Sequence, residues 1–265
     1  MFRRFLTYFK VWLLVASNAA QIVFINRLSS LFFLIGKALR LGISLLVLLL
    51  IRSTTHAFGP YTTDQMVVFF LTYVLIDTIA QIFFRGVYSF TNLIRSGELD
   101  LLLVKPISPL FLALAGSPDI NDAIFLIPTL IVVGLVFFQL HITVTLFSAV
   151  LYCLLLVNSF LIVTALHIVI VATGLFTTEV DGVVWLYRDL SRFGQFPISV
   201  YNQVVRITLF FIIPIGFMIT IPTQVLLGIA PSYPLILSFV VGIISLWGSY
   251  QFWLSALRQY NSASS

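Results

Sequence analysis

The chain has 265 residues, 60% of them hydrophobic and 9% charged, with 26 Phe, a mean hydropathy of +1.12 and a formal net charge of +5. A soluble domain of this length carries roughly a quarter charged residues, so a water-soluble fold is excluded. Continuous apolar runs of about twenty residues specify membrane helices. They exclude a β-barrel, whose strands alternate apolar and polar positions over roughly ten residues. The expected fold class is all-α: one polytopic transmembrane domain over residues 1–265.

The first 28 residues carry Phe2, Phe5, Phe9, Trp12 and Leu13 at helical spacing, with Arg3, Arg4 and Lys10 between them. That pattern predicts an amphipathic helix lying on the inner membrane surface; a helix with no separate role is the plainer alternative. No small-residue cleavage site follows, so a cleavable signal is not expected. Six spans then follow, at about 31–52, 66–84, 123–140, 146–176, 200–222 and 234–257. Lys37 and Arg40 interrupt the first, whose core is expected nearer Ile51, with both cations snorkelling to the inner face.

Asp77 lies within the second span, roughly two helical turns from its inner end at about 1.5 Å per residue. A charge at that depth needs a partner or a proton. Arg40 or Lys37 of the first span is within reach, so an interhelical ion pair, Asp77 with Arg40, is expected ahead of a proton relay. The fourth span is longer than a bilayer requires and is expected to tilt or to continue along the interface. Arg206 stands at the start of the fifth. Pro214 and Pro222 should kink or break its outer half, as a gating kink or as a re-entrant turn. Cys153 sits in an apolar block, which suits packing and leaves no disulfide framework.

The cations are distributed unevenly. Arg3, Arg4, Lys10, Arg27, Arg85, Arg95, Lys105, Arg188, Arg192 and Arg258 fall on one side of the six-span topology, and Arg52 alone on the other. Positive residues mark the cytoplasmic side. Both termini and the loop 85–122 are therefore expected in the cytoplasm of a cell bounded by this inner (plasma) membrane. Topology accounts for the +5 charge, and no nucleic-acid partner is needed.

No phosphate-binding loop occurs: Gly36-Lys37 is followed by Ala38, with no glycine at the required spacing before it. His56, His141 and His167 are isolated, so neither a metal centre nor another cofactor is indicated, and no catalytic residue is assigned. The organised polar feature is the loop 85–122. Phe90, Leu93 and Ile94 form a short apolar face, Ser96-Gly97 reads as a break, and Glu98, Asp100 and Lys105 flank the run Leu99 and Leu101 to Val104. Pro106 and Pro109 should end it. Such an element can dock into a partner's cleft by its apolar anchors or rest on lipid headgroups. Physics alone leaves both open.

At these residues the chain resembles the type-2 ATP-binding-cassette permeases, in particular the six-span subgroup of about its own length. Ser96-Gly97-Glu98-Leu99-Asp100, then Leu101-Leu102-Leu103 and Lys105-Pro106, match that subgroup's loop signature. Phe196-Pro197-Ile198-Ser199-Val200-Tyr201 with Arg206, Ile213-Pro214, Ile221-Pro222, Leu227-Gly228, and the tail Trp253, Arg258, Tyr260, Ser262-Ala263-Ser264 extend the likeness over most of the chain. The stretch 115–122 is the least similar.

The resemblance implies a permease subunit of an exporter-type complex for an unknown substrate. Two copies of a separate ATPase would sit beneath this subunit and a second permease, identical or homologous. Arg95, Gly97, Glu98, Asp100, Leu101, Lys105 and Pro106 would form the coupling helix seated in the ATPase. The competing readings are an ion-coupled secondary transporter using Asp77, a membrane enzyme, for which no convergent Glu/His set exists, and a structural anchor.

Overall fold

The computed structural model describes residues 2–54, 57–58, 60–140 and 144–260. The chain is a bundle of long helices. α1 (Phe2–Ile25) and α2 (Arg27–Thr54) follow one another across a turn at Asn26. A two-residue antiparallel pair, β1 (Ala57–Phe58) with β2 (Tyr61–Thr62), leads into α3 (Thr63–Phe84). The start of α3 is fixed by a capping box: Thr62 accepts from the Gln65 amide, and the Gln65 side chain accepts from the Thr62 amide. A 3₁₀ turn, Arg85–Ser89, and three short helices follow: α4 (Phe90–Arg95), α5 (Glu98–Leu103) and α6 (Pro109–Ala115).

α7 (Ile120–Gln139) begins on Asp119, whose carboxylate accepts from the amides of Asn121 and Asp122. α8 (Leu146–Thr177) runs unbroken for 32 residues from a second capping box, Thr145 with Ser148. It ends at Thr178, and a separate amphipathic helix, α9 (Asp181–Ser191), covers the loop end of the bundle. α12 (Ser232–Gln259) closes the fold.

Among the described residues six helices are long and apolar enough to cross a bilayer: Arg3–Ile25, Arg27–Ile51, Thr63–Arg95, Ile120–Gln139, Leu146–Thr177 and Ser232–Gln259. The all-α polytopic class holds, but these are not the six predicted segments. The predicted fifth span is two arms, Gln203–Ile212 and Gly216–Leu226, meeting at 83°. The break falls at Ile213, forced into an extended conformation by the proline that follows it. α10 (Gln203–Ile207) and α11 (Ile221–Leu226) cap the arms, and both segments next to the break are π-helical. Pro222 does not break its arm. It occupies the first turn of α11, where the missing N–H costs least.

The two central helices are α3 and α8, over half of whose spanning windows are buried, against less than a fifth for the other long helices. Lipid offers no hydrophobic drive for one helix to meet another, so close packing and interhelical hydrogen bonds must hold the bundle. The seam of α8 and α12 shows both. Asn158 donates to the Ser238 carbonyl at 2.9 Å and lies 3.1 Å from its hydroxyl, against Gly242. Next to it the Ser159 hydroxyl lies 2.6 Å from the Met218 carbonyl of the bent segment. Such contacts re-satisfy backbone groups freed where a helix breaks inside a membrane. At the opposite end of that segment Gln224 donates to the Tyr61 hydroxyl at 2.7 Å.

Candidate functional site

The polar stretch after α3 folds as two short helices hinged at a glycine. Gly97 has φ +73°, a left-handed conformation that a Cβ disfavours, and this lets α5 turn away from α4. One side of the pair is anchored: Phe90, Ile94 and Leu99 are fully buried in the main core. The other side is open. Leu101 is 63% and Val104 81% exposed, and Arg95, Glu98, Lys105 and Pro106 are exposed around them. Asp100 is half-buried. α5 ends at Leu103, before Pro106, and Pro109 does not end a helix but starts α6. The structure thus places the predicted residues Glu98, Leu101, Lys105 and Pro106 on one exposed stretch, with Gly97 as its hinge.

The hinge is tied to the end of α8. Thr91 accepts from the Val180 amide at 3.0 Å and donates to Asp181 at 3.2 Å. Gly174 of α8 faces Phe90, and a Cβ there would lie 3.2 Å from the ring and collide with Val180. Arg95 meets Glu179 at 3.1 Å, but both side chains are more than half exposed, so this pair contributes little. Tyr8 of α1 accepts from the Ser108 amide at 3.0 Å, and Trp12 stacks on Phe83. The N-terminal helix therefore touches the same end of the bundle as the loop.

Above the loop, charges from four elements meet. Lys37 and Arg40 of α2 and Asp77 of α3 line one small cavity with Ser44, Tyr73 and Gln195. The expected partners are near one another, yet the ion pairs differ from the expected one. Lys37 reaches Asp122 of α7, a fully buried carboxylate, and Arg85 lies 3.5 Å from Asp119. Neither Arg40 nor Asp77 has an ion pair or hydrogen bond among the described residues. Arg188 of α9 donates to the Tyr88 hydroxyl at 2.8 Å, and Gln81 donates to the same oxygen at 3.2 Å. Burial, reinforced by Asp77, pushes the Tyr187 phenol well above its ordinary range, so it stays protonated beside this group.

Sequence reasoning missed Asp119, Asp122, Tyr88 and Arg188. The available signal was the Asp-x-x-Asp spacing at the start of the third span, which reads as a helix cap carrying a second acid in its first turn. His167 is buried, 2.9 Å by Nδ1 from the Val163 carbonyl, stacked on Phe84 and met edge-on by Tyr187. It is a packed core histidine. His56, His141 and the tail residues Ser262, Ala263 and Ser264 lie outside the described residues.

Compared with known proteins, residues 38–264 match the family model described as "ABC-2 family transporter protein". No curated protein and no solved structure matches the chain.

Proposed function

Given that the chain belongs to the ABC-2 family of transporter proteins, we propose that it couples ATP hydrolysis by a separate subunit to export across the inner membrane. It is a multi-pass membrane subunit of an ABC transporter, and ATP hydrolysis belongs to a partner ATPase. In the proposed assembly two ATPase copies sit below this permease and a second one, identical or homologous. Both termini and the loop 85–122 face the cytoplasm, and α1 lies along the inner interface.

The observation that carries the reading is the exposed pair Leu101 and Val104 on a short helix whose opposite side is locked into the core. Apolar side chains held out by a braced element, with Glu98 and Lys105 around them, suit a cleft in a water-soluble partner. Closure of the ATPases would push this element. The link through Thr91, Val180 and Gly174 would pass the push to α8. Asp77 shares its cavity with Lys37 and Arg40, which favours a charge-compensating role over the proton relay that an ion-coupled transporter would need.

The test is co-purification of the tagged permease from native membranes. Leu101→Asp with Val104→Asp should release the nucleotide-binding subunit while leaving the helical circular-dichroism signal of the permease intact. Undiminished co-purification with the double variant would contradict the assignment.

A further inference from the structure

A cleft opens beside the Asp77 cavity, between α2, α3 and α9. It has a volume of ≈ 300 Å³ and is lined by Phe33, Gly36, Gln81 and four cations: Lys37, Arg40, Arg85 and Arg188. Among the described residues no carboxylate lines it. Two of the cations are neutralised from behind, Lys37 by Asp122 and Arg85 by Asp119. The other two make no direct ion pair among the described residues: Arg188 is held by the neutral Tyr88 hydroxyl, and Arg40 shares only the adjacent cavity with Asp77, which acts on both from outside the cleft.

Concentrating like charges in a half-buried cleft is unfavourable unless an anion joins them. The arrangement is also braced. Arg85 lies 4.7 Å from the Tyr88 ring and within 3.5 Å of the Gln81 side-chain oxygen, so its fork is oriented before any ligand arrives. Guanidinium forks match tetrahedral oxyanions in geometry as well as charge. Basic pockets between membrane helices near the surface suit lipid head groups.

We propose that Lys37, Arg40, Arg85 and Arg188 form a binding site, in the cleft between α2, α3 and α9, for a molecule whose phosphate carries net negative charge with no cation of its own, unlike the zwitterionic choline head group. The shared chemistry is a phosphate group, carried on a lipid head group or free in water. As a binding site it stands without the transport reading; as the entry of the transport path it rests on that reading.

The test uses the full chain without any ATPase, purified in zwitterionic detergent and examined by native mass spectrometry. Dioleoyl phosphatidic acid is compared with dioleoyl phosphatidylcholine, and sodium phosphate is added as a competitor. Phosphatidic acid should bind at least about tenfold more tightly than phosphatidylcholine. Arg40→Gln with Arg188→Gln should remove that preference, while Arg258→Gln, at the end of α12, should keep it. Arg40→Gln alone decides the matter if the double variant does not fold, because Arg40 has no ion pair or hydrogen bond among the described residues to lose.

Displacement by free phosphate supports the site and assigns a soluble ligand, and resistance to displacement supports it and assigns a lipid. Equal binding of the two lipids with no phosphate binding would overturn the proposal. So would full retention by the glutamine variants, or an equal loss with Arg258→Gln. ATPase capture is measured separately, so the failure of one reading leaves the other standing.

Discussion

Among single residues, the seam of α8 and α12 shows how little room the membrane interior leaves. Gly242 faces the Asn158 amide so closely that a Cβ would overlap it, whereas a Cβ on Gly248 of the same helix would meet nothing. Gly242→Ala should therefore destabilise the bundle by about 1–3 kcal/mol, the usual cost of overpacking. Gly248→Ala should be neutral or slightly stabilising, since alanine is the better helix former. Thermal unfolding in detergent separates the two, and equal effects would mean that the seam is looser than described.

The charged residues give the opposite lesson about legibility. Lys37, Arg40 and Asp77 were visible in the sequence as costly charges needing company. The spacing also put Lys37 and Arg40 within reach of the second span. Which acid Lys37 chooses was not visible, because Asp122 lies 85 positions further along the chain and joins it only when α7 packs beside α2. Arg188 enters the cleft the same way, through the docking of α9 on Tyr88 of the 3₁₀ turn after α3.

Among the elements, the hinge at Gly97 and the close approach at Gly174 define how the loop is held. Gly97 needs its left-handed conformation, which costs other residues about 1–2 kcal/mol. Gly97→Val should tilt α5 out of place and lower ATPase stimulation in reconstituted vesicles. Gly97→Asn, which tolerates that conformation, should retain most of it. Similar losses in both would show that the hinge geometry is unimportant.

Long apolar runs make most spans readable, while the Thr62/Gln65 box, which lies outside the apolar run, starts α3 at Thr63 ahead of the expected 66. For the fifth segment the sequence predicts only a span with a kink or break. Its 83° bend falls at Ile213, ahead of Pro214, and a distant neighbour, Ser159 of α8, partners the Met218 carbonyl of the interrupted helix. α9 escaped notice because its 11 residues are too short and too polar to stand out in a hydropathy profile.

For the whole molecule, the proposed arrangement has the loop facing the cytoplasm and meeting the ATPase. The topology has its own check. In a Cys153→Ser background, Lys105→Cys should react with an impermeant maleimide only in inverted vesicles. Labelling from the opposite side would reverse the orientation.

The most direct measurement places a photoreactive amino acid at position 104 and irradiates native membranes. Val104 is the most exposed apolar side chain of the loop, so its adduct reports what the loop touches. The account predicts a crosslink to a polypeptide that azido-ATP also labels. The crosslink should vanish when the photoreactive residue is moved to buried position 99. Crosslinks at 104 to lipid alone, in membranes where the ATPase is present, would contradict it.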